Sequence, residues 1–398
     1  MTRVFQSTLQ DIGARLRVLL IGAGHYPHAQ NSDNGVPALA DLSSVPPSIL
    51  LIARRFIDTW ALGMAAPLAS IDLLLSDPSS PAGAVWTSGG VAGEVATGTA
   101  LDSPTLANVS AALTASLLDS TNQDIWFFVC CGHGFWKGTR YFFLSDFGQG
   151  QLDPWSAVLG LDGLKLGMRQ MAPRQQWMFF DCCSNIPDDA LDALGRIGGS
   201  LIQPSASALA RASRTYGSLS QFGMYSSTIG ALAYGVANAP SRFCEMLVEA
   251  VDGSGAIRKV QGQWWVDDRG MIEAMRTYPD RIDPPNPQFY RFPILNASDA
   301  NDRMRLRMLA NPPTSLVIAS STPLMALKSA AVSIDTLTQT IFSKSANASG
   351  GNAILRVQVP ALQTIKITAN FSVPSNCSKN QEIFADLPMA DRVEFPVP

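Results

Sequence analysis

The chain has 398 residues, of which 46% are hydrophobic and only 15% charged. Its length exceeds one typical domain, so two or three are expected, and the apolar share excludes wholesale disorder. The net charge of -3 gives no electrostatic reason to hold nucleic acid or an anionic membrane, and neither is expected as a partner.

From the amino end, Met1 to Leu16 contains no continuous apolar stretch, and Val18–Ile21 is too short for a leader or a membrane span. The expected location is the cytoplasm. Val18–Ile21 reads instead as the first of a series of buried strands, followed by Ile71–Leu75, Ile125–Cys131, Trp177–Phe180 and Phe222–Tyr225. These runs are apolar on both faces, as in a parallel sheet covered by helices on each side. Helical patterns alternate with them. Ile49–Leu62 follows Pro46-Pro47, which can open a helix. Leu106–Leu118 carries Leu106, Val109, Leu113 and Leu117 at helical spacing, with Thr105 as a cap. Phe243–Val251 ends before Asp252-Gly253, and Met271–Thr277 is a shorter helix after Asp267-Asp268. Long stretches rich in small residues, Asn31–Ser44, Asp77–Ser103 and Gly198–Ser220, read as surface loops.

Strand alternating with helix predicts a doubly wound α/β domain with a mostly parallel sheet of about six strands, over residues 1–295. Residues 296–314 are polar and proline-bearing and read as a linker. From Ser315 onward, β-branched and alternating runs at Leu316–Ile318, Val332–Ile334, Ile354–Val359 and Ile365–Thr368 predict a small all-β, sandwich-like module over 315–398.

Catalytic groups of open parallel sheets gather at the carboxyl ends of the strands. Two such ends carry reactive side chains: Cys130-Cys131-Gly132-His133-Gly134 and Asp181-Cys182-Cys183-Ser184-Asn185. A thiol reacts as the thiolate and needs a base, and an imidazole titrating near neutrality supplies one. It then acts as the acid toward a leaving amine. Backbone amides of Gly134 and Cys183 are candidates to receive the oxyanion of a tetrahedral intermediate. Side chains alternate along an extended chain, so Cys182 faces away from Cys183 and into the core. Cys130 and Cys131 read as core, and His25 and His28 as rim groups. The six cysteines, two adjacent pairs among them, do not form a secreted disulfide framework. Cys131, His133 and Cys183 lack the usual ligand spacers and a fourth donor, so no metal and no cofactor is expected.

The hydrophobic strand leading to Gly132-His133-Gly134, followed by Phe179-Phe180-Asp181-Cys182-Cys183, resembles the caspase, metacaspase and bacterial caspase-like peptidase superfamily. Asp181-Cys182-Cys183-Ser184-Asn185-Ile186-Pro187 is closest to the bacterial members' Asp-Ala-Cys-Arg-Asn-Asn-Pro. Tyr141-Phe142-Phe143-Leu144, Tyr225-Ser226-Ser227, Ser241-Arg242-Phe243 and Gln288-Phe289 follow in the family's order.

The resemblance implies a caspase-like fold over residues 15–295 and a cysteine endopeptidase acting on proteins or peptides. Cys183 would be the nucleophile and His133 its base. It also implies a substrate-pairing strand at Tyr225, Ser226 and Ser227. Metacaspases grip a basic substrate side chain with two acids, and here the matching positions are Asp181 and Ser48. The arginine with which animal caspases hold aspartate is matched by Ser184, and the calcium-binding acidic loop has no counterpart. Bacterial relatives often sit in defence or regulated-death systems. The rival expectation is a catalytically silent caspase-fold protein that binds a protein partner through its β module.

Overall fold

The structure, a computed structural model, describes residues 2–8, 13–31, 36–118, 120–150, 152–183, 219–227, 237–282, 304–310, 313–322, 326–345, 355–361, 363–371, 377–385 and 393–396. The chain divides into two compact units. One comprises Met1–Val248 with Arg291–Arg305, the other Glu249–Tyr290 with Leu306–Pro398.

The first unit is built on a six-stranded sheet. Its members are β1 (Thr2–Gln6), β2 (Leu16–Ala23), β3 (Leu68–Ser76), β4 (Ile125–Gly132), β8 (Gln175–Cys182) and β9 (Ser220–Tyr225), in the order β1-β3-β2-β4-β8-β9. Between β4 and β8 the chain forms a small antiparallel sheet of β5 (Gly134–Trp136), β6 (Arg140–Phe143) and β7 (Val158–Gly160). All neighbours in the large sheet are parallel except β1, which runs antiparallel to β3. β2 and β4 are buried along their whole length, as expected where helices cover both faces.

The two faces are separable residue by residue. Leu19, Ile21, Trp126, Phe128, Cys130, Met178, Phe180 and Cys182 belong to one core. That core also takes Val109, Ala112 and Leu113 of α2 (Leu106–Leu118) and Leu161, Leu164 and Met168 of α3 (Leu161–Met168). The opposite face packs on α1 (Val45–Arg55), which continues as a π turn over Phe56–Trp60. Gly22 shows how tightly: a Cβ there would lie 3.0 Å from Ile49 and 3.1 Å from Val45. Phe56 meets Phe127 edge-on at 4.9 Å on this side. α4 (Arg242–Glu249) follows β9 and buries Phe243, Cys244, Met246, Leu247 and Val248.

The fold is therefore the expected α/β arrangement with a mostly parallel six-stranded sheet. Sequence periodicity did not anticipate β1, the β5-β6-β7 sheet or α3. β1 is short and polar at both ends, and α3 is interrupted by Gly163 and Gly167.

The second unit contains β10 (Lys259–Val260), β11 (Gln263–Asp267) and α5 (Asp268–Ile282), with most of β12 (Arg305–Leu309). Two further sheets complete it. β13 (Thr314–Thr322) pairs antiparallel with β16 (Leu355–Pro360) and parallel with β19 (Val393–Pro396). α6 (Ala326–Ser329) then leads to a four-stranded antiparallel sheet of order β15-β14-β17-β18, formed by β14 (Ala331–Thr336), β15 (Thr340–Lys344), β17 (Thr364–Phe371) and β18 (Cys377–Phe384). Both sheets share a core that includes Val317, Ile334, Ile365, Ile367, Phe371 and Phe395. β17 alternates buried and exposed residues, the period-two pattern of a half-buried strand. Among the described residues no helix is long and apolar enough to cross a membrane.

Candidate active site

The site begins with a register. β4 and β8 are parallel neighbours, with Cys131 opposite Asp181 and Gly132 opposite Cys182. The next residue of each chain is His133 on one and Cys183 on the other, so both leave the sheet at the same level of adjacent strands. Gly134 lies against the end of β8: a Cβ on it would stand 2.9 Å from the Cys183 carbonyl oxygen, 2.9 Å from Cys182 Cβ and 2.7 Å from the Tyr141 carbonyl oxygen. No side chain fits in that space. The small residue lets the histidine loop close onto the strand that carries Cys183.

Four cysteines, Cys130, Cys131, Cys182 and Cys244, are buried, whereas Cys183 is half-buried, and none of the six cysteines is in a disulfide. Burial pushes the Cys130 and Cys182 thiols well above the ordinary thiol value. A thiol held protonated in the core is a poor nucleophile. Cys182 takes its place in the core shared with α2 and α3, on the side expected from alternation. The continuation of the strand, Ser184 to Pro187, lies outside the described residues.

His133 is fixed through three contacts. Its backbone N–H donates to the Tyr26 hydroxyl at 2.9 Å, and that hydroxyl donates onward to the Ala23 carbonyl at 2.7 Å. The Tyr26 ring lies 5.2 Å from the imidazole. Nε2 stands 2.7 Å from the Ala40 carbonyl oxygen. A carbonyl only accepts, so Nε2 carries the proton, and in a neutral ring Nδ1 is left with the basic lone pair. Burial lowers the imidazole pKa against the opposing pull of the Ala40 carbonyl and the Asp41 carboxylate. The ring is accordingly neutral near pH 7, the form in which a base works. Asp41 also faces His25, whose Nδ1 is 3.0 Å from its Oδ1.

Below Cys183, Asp181 is buried at 4% exposure. Its carboxylate accepts hydrogen bonds from Ser241 Oγ, from Cys131 Sγ at 3.3 Å and from Cys244 Sγ at 3.6 Å. Burial raises its pKa, and these hydrogen bonds pull it back. Ser48 is joined to the same network. Its Oγ accepts the Ser241 N–H at 2.8 Å and donates to the Ser44 carbonyl at 2.6 Å. The structure thus brings Ser48 and Asp181 together through Ser241.

Ser226 and Ser227 are buried and donate to the Cys182 carbonyl at 3.3 and 2.9 Å. They tie the end of β9 to the end of β8. Tyr225 is buried, stacked on Phe180 at 4.6 Å and covered by the Arg140 guanidinium at 4.1 Å, and its hydroxyl donates to Asp162 at 2.8 Å. These three side chains brace the strand ends around Cys183.

Tyr26, Ala40 and Ser241 were not singled out as site residues by sequence reasoning. Tyr26 and Ala40 stand in the long loop after β2, and a backbone carbonyl leaves no residue-type signal. Ser241 was legible only as the opening of a late helix.

No family model matches the chain. The uncharacterized protein y4kE of Sinorhizobium fredii (strain NBRC 101917 / NGR234) is 25% identical over 183 residues, which are 43% of this chain and 48% of that protein. The match spans about half the length of that curated relative. Among solved structures, caspase-1 from Spodoptera frugiperda superposes with a TM-score of 0.41 at 8% identity, covering 75% of this chain and 94% of that one. Protein GSU0716 from Geobacter sulfurreducens gives 0.37 at 14% identity, covering 71% and 99%.

Proposed function

We propose that the chain is a cysteine endopeptidase of the caspase-like superfamily, with His133 and Cys183 as its dyad. The observation that carries this reading is the β4–β8 register, which sends a neutral imidazole and a half-buried thiol off adjacent strand ends. In the proposed reaction Nδ1 of His133 takes the Cys183 proton, and the thiolate attacks the scissile carbonyl. The tetrahedral oxyanion is received by the amides of Gly134 and Cys183. Collapse expels the amine, which takes a proton from His133, and leaves a thioester that water hydrolyses. The Ala40 carbonyl serves as the orienting third group, since its bond to Nε2–H fixes both tautomer and ring direction.

Asp181 is proposed to favour a basic substrate residue before the scissile bond, with Ser48 and Ser241 holding the carboxylate in place. Tyr225, Ser226 and Ser227, at and just past the end of β9, are proposed to pair with the substrate through their main chain, their side chains being buried. The substrate is a protein or peptide. The cytoplasm of a bacterium is the proposed setting, and the all-β module from Ser315 onward is the proposed contact for a protein partner.

Peptide hydrolysis and labelling with a peptide fluoromethylketone test the reading together. Wild type is expected to be labelled on Cys183 and to cleave a library enriched in lysine and arginine before the scissile bond. Cys183→Ala should abolish both activities, while Cys182→Ala keeps a substantial part of them. A Cys183 that ignores the probe in folded protein would favour a catalytically silent binding protein, and an active Cys183→Ala would remove the dyad assignment.

A further inference from the structure

Cys131, Asp181 and Cys244 come from β4, β8 and α4, and their sulfur and carboxylate atoms all lie within 4.8 Å of one another. We propose that this trio is a binding site for a thiophilic divalent cation, with zinc the natural occupant. The ligand chemistry is a matched set of two thiols and one carboxylate. The spacing agrees with it. Tetrahedral zinc, with sulfur and oxygen at their usual bond lengths, holds those two atoms about 3.5 Å apart, and the sulfurs here stand 3.3 and 3.6 Å from Asp181 Oδ2.

The supporting shell is already built. Ser241 Oγ donates to the carboxylate and accepts the Cys244 N–H at 3.1 Å, while its own N–H is anchored on Ser48. Such outer partners fix a ligand's orientation before the ion arrives. Two thiolates and a carboxylate set three negative charges against the ion's two positive ones, and the Ser241 hydroxyl donates to the carboxylate of the resulting singly negative site. The trio leaves one tetrahedral position for water or a substrate atom. Cys131 and Asp181 are the next-to-last residues of β4 and β8, which puts the site just beneath the strand ends, and all three groups are buried.

This site is distinct from the dyad, although Cys131 and Asp181 each lie two residues before a dyad member. Its effect on cleavage rests on the proposed function. If Asp181 receives a basic substrate side chain, a cation on Asp181 takes that place and opposes cleavage.

The test separates the two readings by using Cys183→Ala protein, stripped with chelator and titrated with cobalt as a spectroscopic stand-in for zinc. One cobalt per chain is expected, with a near-ultraviolet sulfur-to-cobalt band and the intense visible bands of a tetrahedral ion, both displaced by zinc. Cys131→Ser and Cys244→Ser should each weaken the sulfur band and the double variant should lose it, and Ser241→Ala should weaken binding by about 10-fold or more while leaving both thiols in place. His133→Ala should leave the cobalt spectrum and affinity unchanged. Absence of the band from folded protein, its persistence in the double cysteine variant, or its loss in His133→Ala would each overturn the site. In wild type, zinc should inhibit peptide cleavage and Cys131→Ser should relieve the inhibition. A protein that binds cobalt as expected yet cleaves nothing would keep the cation site and remove the peptidase reading.

Discussion

Tyr26 carries a disproportionate share of the site for one hydroxyl. It accepts the His133 N–H and donates to the Ala23 carbonyl, linking the end of β2 to the histidine loop of β4. Tyr26→Phe keeps the ring contact with the imidazole and removes both bonds, leaving a donor and an acceptor unsatisfied. The expected cost is about 1–3 kcal/mol of stability, read by urea denaturation, together with a fall in kcat at little change in KM. An unchanged kcat would mean that the imidazole is held by the Ala40 carbonyl alone. At this scale the sequence was informative where chemistry needs a particular residue type. His133 and the two adjacent cysteines stand out because a thiol requires a base, and alternation alone sends Cys182 to the core. It was silent where the chemistry belongs to backbone or to distant segments: nothing local marks the Ala40 carbonyl, and Ser48 and Asp181, paired only through the resemblance, are joined by Ser241, which no pattern marked as their link.

Among the elements, β4 is held at both ends. At its start Asp124 is fully buried. It accepts the backbone N–H groups of Arg15 and Thr121 and pairs with the Arg15 and Arg17 guanidinium groups. Burial alone would raise this carboxyl, but the Arg15 side chain and the backbone donors outweigh it and hold the pKa below the ordinary value. A carboxyl depressed in the folded state adds stability above its unfolded pKa, and that stability is lost as pH falls through the folded value. Denaturation midpoints should therefore drop as pH falls below about 4, with a shallower slope in Asp124→Asn. Equal slopes in the two proteins would assign the acid sensitivity to other carboxylates. Just past the far end of β4, at the first residue of β5, Gly134→Ala would drive a methyl group into two carbonyls and Cys182 Cβ. Backbone must move, and a displacement near 1 Å at the reacting groups is expected to lower kcat/KM by about 100-fold, with the thermal midpoint reporting the accompanying strain. Central strands were legible because both of their faces are apolar. The edge strand β1 was not, since one short polar segment acquires its strand character only by pairing with β3.

Over the whole molecule, every residue of the proposed dyad, oxyanion site and Asp181 network lies in Met1–Val248. Residues 315–398 contain one cysteine and no histidine, and a recognition role for them remains our proposal; within the expected linker 296–314, Arg305–Leu309 instead forms β12 of the β10-β11-β12 sheet. A chain ending at Ala310 is expected to keep turning over a short peptide while losing protein cleavage or partner binding. Glu249–Tyr290 groups with the C-terminal strands, so the cut should also lower the thermal midpoint, and activity is to be normalised to folded protein by circular dichroism. Loss of peptide turnover in the folded fraction would show that the module helps to build the active site. The alternating strands after Ser315 were legible as a β module, but the grouping of 249–290 with them depends on contacts between distant segments, which no local pattern encodes.

The strand order has a further consequence, for the path by which the chain reaches this structure. Each parallel neighbour in the sheet returns only after a long excursion, so every pairing closes a large loop before any contact repays it. Formation of the sheet should be slow, and its strands, apolar on both faces, stay open to mispairing meanwhile. His133 and Cys183 leave separate strands, and before β4 meets β8 nothing holds the imidazole and the thiol at one level. If the proposed dyad acts, its activity can arise only after β4 and β8 have paired.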